Sequence, residues 1–170
     1  RGWISEGACR SDATMSVNVS PRQLHDPNFV AVVSEALMRS HVPAEQLWLE
    51  ITEGVMIAQP DQALATLTKL CDIGVRIAID DFGTGYSSLS YLKKFPLTTL
   101  KIDRAFVEGI PQQSKDCAIA QAIITMGKQL RLEIVAEGVE TTAQRHFLHR
   151  HHCDVLQGWL FSQALPPAQL

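Results

Sequence analysis

Six short β-forming runs, at residues 16–20, 47–52, 75–80, 99–103, 133–137 and 155–161, alternate with longer amphipathic segments along the chain. Strand then helix, repeated, is the pattern of parallel βα units, because a parallel strand needs a long crossover to bring the chain back to the same end of the sheet. The intervening segments carry helix punctuation. Asp26-Pro27 opens a run reaching Ser40, Asp61 opens one stopped by Gly74, Ser114 opens one reaching Leu130, and Thr141 with Gln144 forms a capping box before Cys153. A βα unit takes roughly 30 residues and a closed eight-unit barrel about 250. The chain of 170 residues is therefore predicted to be an α/β, TIM-type (β/α) barrel that is incomplete, with about six of eight strands present. An open doubly wound sheet is the alternative, but no G-x-G-x-x-G follows the first strand.

Parity within the strands carries the next step, since alternate residues face opposite sides of a sheet. Val17 and Val19, Leu49 and Ile51, Ile77 and Ile79, Leu100 and Ile102, and Ile134 and Ala136 fall on one face, expected to meet helices. The other face receives Asn18, Glu50, Asp80, Lys101, Glu137 and Gln157, one per strand, at spacings of 32, 30, 21, 36 and 20 residues. Asp81 follows Asp80 at the strand end. All six are expected to converge inside, near the C-terminal strand ends where βα barrels place their chemistry. Four carboxylates cannot share that space against one lysine without severe repulsion. Divalent metal resolves the conflict, and oxygen ligands from carboxylates and an Asn amide suit Mg²⁺ or Mn²⁺, with two ions expected in an intact domain.

Composition bounds what such a site can serve. Hydrophobic residues at 46% against charged residues at 19% exclude a disordered chain. A net charge of −3 with no basic run leaves no electrostatic footprint for duplex nucleic acid. No apolar stretch approaches the roughly 18–20 residues of a membrane span, and the location expected is cytoplasmic, for a parent that an N-terminal region absent from this chain could anchor to a membrane. Cys9, Cys71, Cys117 and Cys153 contain no Cys-x-x-Cys pair and read as inert reduced thiols.

Three local motifs compete with this reading and lose. Asp81-Phe82-Gly83 resembles the magnesium triplet of protein kinases, but no H-R-D-x-x-x-x-N or early glycine-rich hairpin accompanies it. Gly83-Thr84-Gly85 lacks the Lys-Ser/Thr of a Walker loop and reads as a loop able to bend over the metal site. His146, His149, His151 and His152 crowd one helix end, where a favourable dipole contact and solvent exposure explain them as well as zinc would.

Taken together, the motifs resemble the EAL-domain phosphodiesterases that hydrolyse the bacterial second messenger cyclic di-GMP. They are Val17-Asn18-Val19-Ser20, Leu49-Glu50-Ile51-Thr52-Glu53, Ile79-Asp80-Asp81-Phe82-Gly83-Thr84-Gly85-Tyr86-Ser87-Ser88, Leu100-Lys101-Ile102-Asp103, Val135-Ala136-Glu137-Gly138-Val139-Glu140 and Gln157-Gly158-Trp159-Leu160-Phe161. The resemblance implies metal-dependent cleavage of cyclic di-GMP to linear pGpG. It further implies that Asn18, Glu50, Asp80 and Asp81 ligate metal, that Lys101 orients the attacking water, and that Glu137 acts near the metals or as base. Glu53, Gln157 and Arg22 would contact substrate or support those ligands, and Gly83, Thr84 and Gly85 would form the site loop.

One feature of that family is missing. Its Glu-Ala-Leu-x-Arg motif precedes the Asn strand, whereas here nothing before Asn18 supplies it. Glu35-Ala36-Leu37-Met38-Arg39 spells the motif but lies in a helical run whose buried stripe is Phe29, Val33 and Leu37, leaving Glu35 outside it. The segment from Trp3 to Cys9 resembles the family helix before the Asn strand. Residues 1–170 are accordingly expected to be the C-terminal two-thirds of an EAL domain, with 16–165 carrying the motifs and turnover impaired. A noncatalytic cyclic di-GMP-binding or dimerising module and an inactive gene remnant are the competing functions. Expected partners are cyclic di-GMP, a second copy in a homodimer, and upstream sensory or regulatory domains of the parent.

Overall fold

A computed structural model describes residues 13–83 and 92–165. Six parallel strands, β1 (Met15–Asn18), β2 (Leu47–Thr52), β3 (Arg76–Phe82), β4 (Thr99–Ile102), β5 (Glu133–Ala136) and β6 (Val155–Leu156), pair in sequence order. They curl into a half-barrel, the incomplete TIM-type barrel expected from the strand count. The helices are α1 (Pro21–Leu24), α2 (Phe29–Ser40), α3 (Glu53–Ala58), α4 (Pro60–Asp72), α5 (Arg104–Val107), α6 (Ser114–Gln129) and α7 (Thr142–Arg150). Capping boxes start two of them, Ser20 with Gln23 at α1 and Thr141 with Gln144 at α7. Gln144 is buried and its Nε2 also donates to Val107 O at 3.1 Å, so the cap that starts α7 ties it to α5. The segment from Trp3 to Cys9 and the loop residues Thr84 and Gly85 lie outside the described residues.

The predicted apolar face is the core. Ile51, Ile77, Ile79, Leu100, Ile102 and Ile134 are fully buried against the helices, together with Leu67 and Leu70 of α4 and Ile124 of α6. Each such side chain contributes about 1.5–3 kcal/mol of transfer free energy. Parity fails at β1: Val19 is buried, but Val17 and Met15 are 42% and 49% exposed. β1 is the edge strand of the described sheet and pairs with β2 alone, so alternation there does not bury its apolar residues. The last predicted strand is also shorter than its apolar run. It ends at Leu156, because Gly158 meets Val139 and the chain then turns, with Phe161 N–H donating to Gly158 O at 3.1 Å.

The inner face has two layers. At its N-terminal end Arg76 lies over the Trp48 ring at 5.4 Å and 3.7 Å from Glu133. The register explains this, since Trp48 pairs with Arg76 across β2–β3 while Glu133 pairs with Thr99 across β4–β5. Above this layer, toward the C-terminal strand ends, stand Glu50 and Lys101, and a cleft of about 330 Å³ joins the two layers.

Burial decides the chemistry of Cys153 as well. Cys153 Sγ donates to Ile134 O and Val155 O at 3.4 Å, and burial pushes its thiol up to about 11. At pH 8 only about one molecule in a thousand then carries the nucleophilic thiolate. Iodoacetamide at pH 8 should leave Cys153 unmodified in the native chain and alkylate it at least about 100-fold faster in denaturant, read by peptide mass spectrometry. Equal rates would contradict the burial.

Candidate functional site: an acidic cluster around Lys101

The parallel registers run without slip from β1 to β3, and Asp80 and Glu137 each stand two residues further along their strands than the positions opposite Glu50 and Lys101. Asn18 pairs with Glu50, Thr52 with Asp80, and Lys101 with Val135. Lys101 is the hub. Its Nζ lies 2.8 Å from Glu50 Oε2, 2.9 Å from Asp80 Oδ1 and 2.6 Å from Glu137 Oε1, and its side chain is only 7% exposed. An ammonium has three N–H donors, and three carboxylates surround this one. Burial works against its charge, yet the hydrogen bonds it donates to Glu137, Glu50 and Asp80 outweigh it and hold the pKa above that of an ordinary lysine. Lys101 therefore stays protonated and cannot serve as a general base.

Neighbouring residues of a regular strand point to opposite faces, so Asp80 and Asp81 could not both reach one site from an undistorted β3. The strand is distorted there: the β3–β4 register shifts between Ile79 and Phe82, and Asp81 adopts left-handed backbone with φ of 53°. Asp tolerates that conformation better than most residues, and a bulge of this kind re-aims a side chain. Asp80, Asp81 and Glu137 consequently present carboxylate oxygens within 4.8 Å of one another. Burial first, then Asp80 and Asp103, hold the Asp81 carboxyl above its ordinary range, with Lys101 pulling the other way. Glu137 is likewise raised by burial and by the charges of Asp80 and Glu50, against the hydrogen bond and charge of Lys101. Four carboxylates against one ammonium leave three formal negative charges in excess. Oxygen donors with an unmet negative charge fit a hard divalent cation.

The supporting residues divide. Glu53 is buried at the start of α3, and its Oε1 accepts from Gly83 N–H at 2.6 Å, pinning the beginning of the site loop to the end of β2. Gln157 follows β6 and shares the 330 Å³ cleft with Glu50 and Lys101. Asn18 is exposed beside Glu50. Arg22 is exposed on α1, and among the described residues no contact joins it to the cluster. The four histidines gather no metal-binding group among the described residues. His146, His149 and His152 are exposed, and His151 packs on Phe147 with ring centroids 4.4 Å apart. Glu35 is paired with Arg39 at 3.6 Å on the exposed side of α2, the two side chains being 66% and 80% exposed. Glu35→Gln should thus leave Mn²⁺ affinity and any turnover within about twofold, below 0.5 kcal/mol; a hundredfold fall would contradict this placement.

Sequence reasoning quoted Asp103 as the end of the Lys101 motif but gave it no role; its carboxylate caps α5 through Ala105 N–H at 2.8 Å and faces Asp81. Nor did sequence reasoning reach Arg104, which pairs with Glu140 at 2.9 Å and lies over the Trp159 ring at 5.6 Å. The only available signal was the position of Asp103 and Arg104 immediately after a strand that carries Lys101.

A parallel βα half-barrel with an acidic cluster at the C-terminal strand ends defines the class, and the family follows from comparison with known proteins. Residues 3–164 match the model of the EAL domain, and the chain belongs to that family. NbdA of Pseudomonas aeruginosa, a cyclic di-GMP phosphodiesterase by name, is 43% identical over 178 residues, covering 99% of this chain and 23% of that protein. The structure of the PaMucR phosphodiesterase in complex with c-di-GMP is 43% identical with a TM-score of 0.91, covering 99% of this chain and 68% of that one. The EAL domain of Mycobacterium smegmatis DcpA is 40% identical with a TM-score of 0.93, covering 99% and 75%. The manganese and cy-diGMP complex of Klebsiella pneumoniae BlrP1 is 30% identical with a TM-score of 0.86, covering 95% and 41%. This chain spans 21–26% of the length of its first curated relatives. Among the described residues no helix is long and apolar enough to cross a membrane.

Proposed function

We propose that the cluster around Lys101 is a metal-dependent phosphodiesterase site acting on cyclic di-GMP. The observation that carries it is the excess of carboxylate over cation at the C-terminal strand ends, with Asp80, Asp81 and Glu137 oxygens within 4.8 Å. Asn18, Glu50, Asp80 and Asp81 would hold two Mg²⁺ or Mn²⁺ ions, which when bound supply Lewis-acid charge to a water and to the phosphate. Water adds to one phosphorus, the P–O3′ bond breaks, and the ring opens to linear pGpG. Glu137, its pKa raised, takes the proton of that water, and the departing 3′-oxygen is protonated from solvent. Lys101, held positive, keeps Glu50, Asp80 and Glu137 in place and orients the attacking water through them. Glu53 holds the site loop through Gly83, Gln157 lines the cleft beside Glu50 and Lys101, and a substrate contact for Arg22 rests on the family resemblance alone.

The sequence supplies no Glu-Ala-Leu-x-Arg ahead of Asn18, and one metal ligand with one phosphate-facing Arg is commonly worth about 10² to 10⁴ in rate. Slow turnover is therefore expected of these 170 residues, rising when such a strand is joined to them. The same feature favours a second reading, a domain that binds cyclic di-GMP without cleaving it. Incubation of the chain, with and without that strand, with cyclic di-GMP and Mn²⁺, followed by chromatography of the product, separates the two. Appearance of pGpG that EDTA abolishes supports the phosphodiesterase; saturable binding with no product from either form supports the binding domain. The homodimer and the upstream sensory domains remain part of this proposal for the parent protein.

A further inference from the structure

The lower layer of the inner face repeats the plan of the acidic cluster nearer the N-terminal strand ends. In the cluster, Lys101 of β4 joins Asp80 of β3 to Glu137 just past β5, and Glu50 of β2 closes the third side. In the lower layer Arg76 opens β3 and Glu133 opens β5, and the two stand 3.7 Å apart although β4 runs between their strands. Trp48 of β2 meets the same guanidinium, with its ring centroid 5.4 Å away. Both layers therefore tie β2, β3 and β5 together across the inner face of the sheet.

The sequence makes room for the lower link. The β4 residue at this level of the inner face is Thr99, which pairs with Ala78 on one side and Glu133 on the other. Thr99 is short and fully buried, so a side chain as long as arginine can reach over it from β3 to β5. Glu133 Oε2 is itself buried, and among the described residues no hydrogen bond reaches it, so Arg76 is the cation that offsets its charge.

A parallel ladder fixes the spacing of neighbouring strands, but the rotation between them varies widely, over roughly 10–35°. The angle between β3 and β5, two strands apart, is therefore loose unless something spans them. Among the described residues β1 and β6 each pair with one strand, so no closed ring sets that angle. One link between β3 and β5 acts as a pivot, whereas two links at different heights hold the angle. Asp80 stands four residues beyond Arg76, and Glu137 four beyond Glu133, each on the same face as its partner below. A lower gap that opens is thus carried about 13 Å up the strands to the gap between Asp80 and Glu137, whose oxygens, with one of Asp81, lie within 4.8 Å of one another.

We propose that Arg76 and Glu133 are positioning residues for the metal site, holding β3 and β5 at the angle that sets the Asp80–Glu137 gap around the divalent ions. The inference rests on the metal-dependent reading above and adds two residues that touch neither metal nor substrate.

Calorimetric titration with Mn²⁺ of the parent chain, Arg76→Met, Glu133→Gln and the exchanged double variant, Arg76→Glu with Glu133→Arg, tests it. Charge alone would move the two single variants in opposite directions, since losing Arg76 makes the cleft more negative and neutralising Glu133 makes it less so. A gap that has lost its lower link weakens both. Each single variant should bind Mn²⁺ about 10-fold more weakly, the lower end of what removing an outer support of a metal ligand costs. The exchange restores an ion pair at the same place with the net charge unchanged, and should return affinity to within about threefold of the parent chain. Thermal midpoints should stay within about 4 °C of the parent chain, because the two side chains are 45% and 34% exposed and pairs of that kind add little to stability. Affinity equal to the parent's in either single variant, or above it in Arg76→Met, would overturn the inference and leave the metal site standing. An exchanged variant no better than the single ones would overturn it too, as would a fall in thermal midpoint that tracks the loss of affinity. Absence of Mn²⁺ binding by the parent chain would bring down the metal-dependent reading and this inference with it.

Discussion

Lys101→Met should lower the free energy of unfolding by about 3–5 kcal/mol, measured by urea unfolding in EDTA at pH 7. Methionine conserves most of the volume, so the loss is electrostatic. Glu50, Asp80 and Glu137 would be left with side chains 9%, 14% and 23% exposed and no cation among them. Removing one partner of a buried ion cluster costs more than the cluster contributes, because the remaining charges are neither solvated nor paired. The pH dependence follows from the directions of shift. Glu137 and Asp81 already bind protons more readily in the folded chain than carboxyls ordinarily do, so their charged forms oppose folding and that opposition fades as pH falls through their raised pKa. The deficit of Lys101→Met should shrink in the same direction. A variant within about 1 kcal/mol of the parent at pH 7 would mean that the three carboxylates do not depend on this ammonium.

Gly158→Ala should cost about 3 kcal/mol, at the upper end of what inserted methyl groups cost in packed interiors. The usual relief, a rotamer change in a flexible neighbour, is closed here, because the atoms that an added Cβ would meet are backbone: Val139 O at 2.2 Å and Val139 N at 2.3 Å. Either the segment from Gln157 onward or the β5–α7 connection must move, and the bonds of Val139 to Gln157 and Leu160 would break. Since Gln157 and Glu137 sit on the two sides of that seam, the variant should lose ligand binding together with stability in thermal melts and titrations. A melting temperature unchanged from the parent would show that the close approach is not as tight as described.

Particular residues show what the sequence made legible. β2 falls at Leu47–Thr52 as its alternation predicts, because it is paired on both sides and one face is in the core. The convergence of Glu50, Asp80, Lys101 and Glu137 was readable from parity, since strand registers in parallel sheets preserve it. What parity could not give is the bulge that turns Asp81 inward beside Asp80, as it depends on one left-handed residue and a register slip between two strands. It also misplaced Val17, at an edge where no alternation is enforced, and it extended β6 through Trp159 and Phe161, whose apolar character belongs to a turn. The Arg104–Trp159 contact joins residues 55 positions apart, and nothing in a single sequence links them.

The central claim is that the carboxylates around Lys101 hold divalent metal and that Asp80 is indispensable to it. Titration of the chain with Mn²⁺ by calorimetry, beside Asp80→Asn, tests this most directly. Asparagine keeps the size and one oxygen donor of Asp80 while removing its charge, so circular dichroism should show both proteins folded. The account expects saturable Mn²⁺ binding by the parent chain and none detectable in Asp80→Asn. Equal affinity in the two proteins would contradict it.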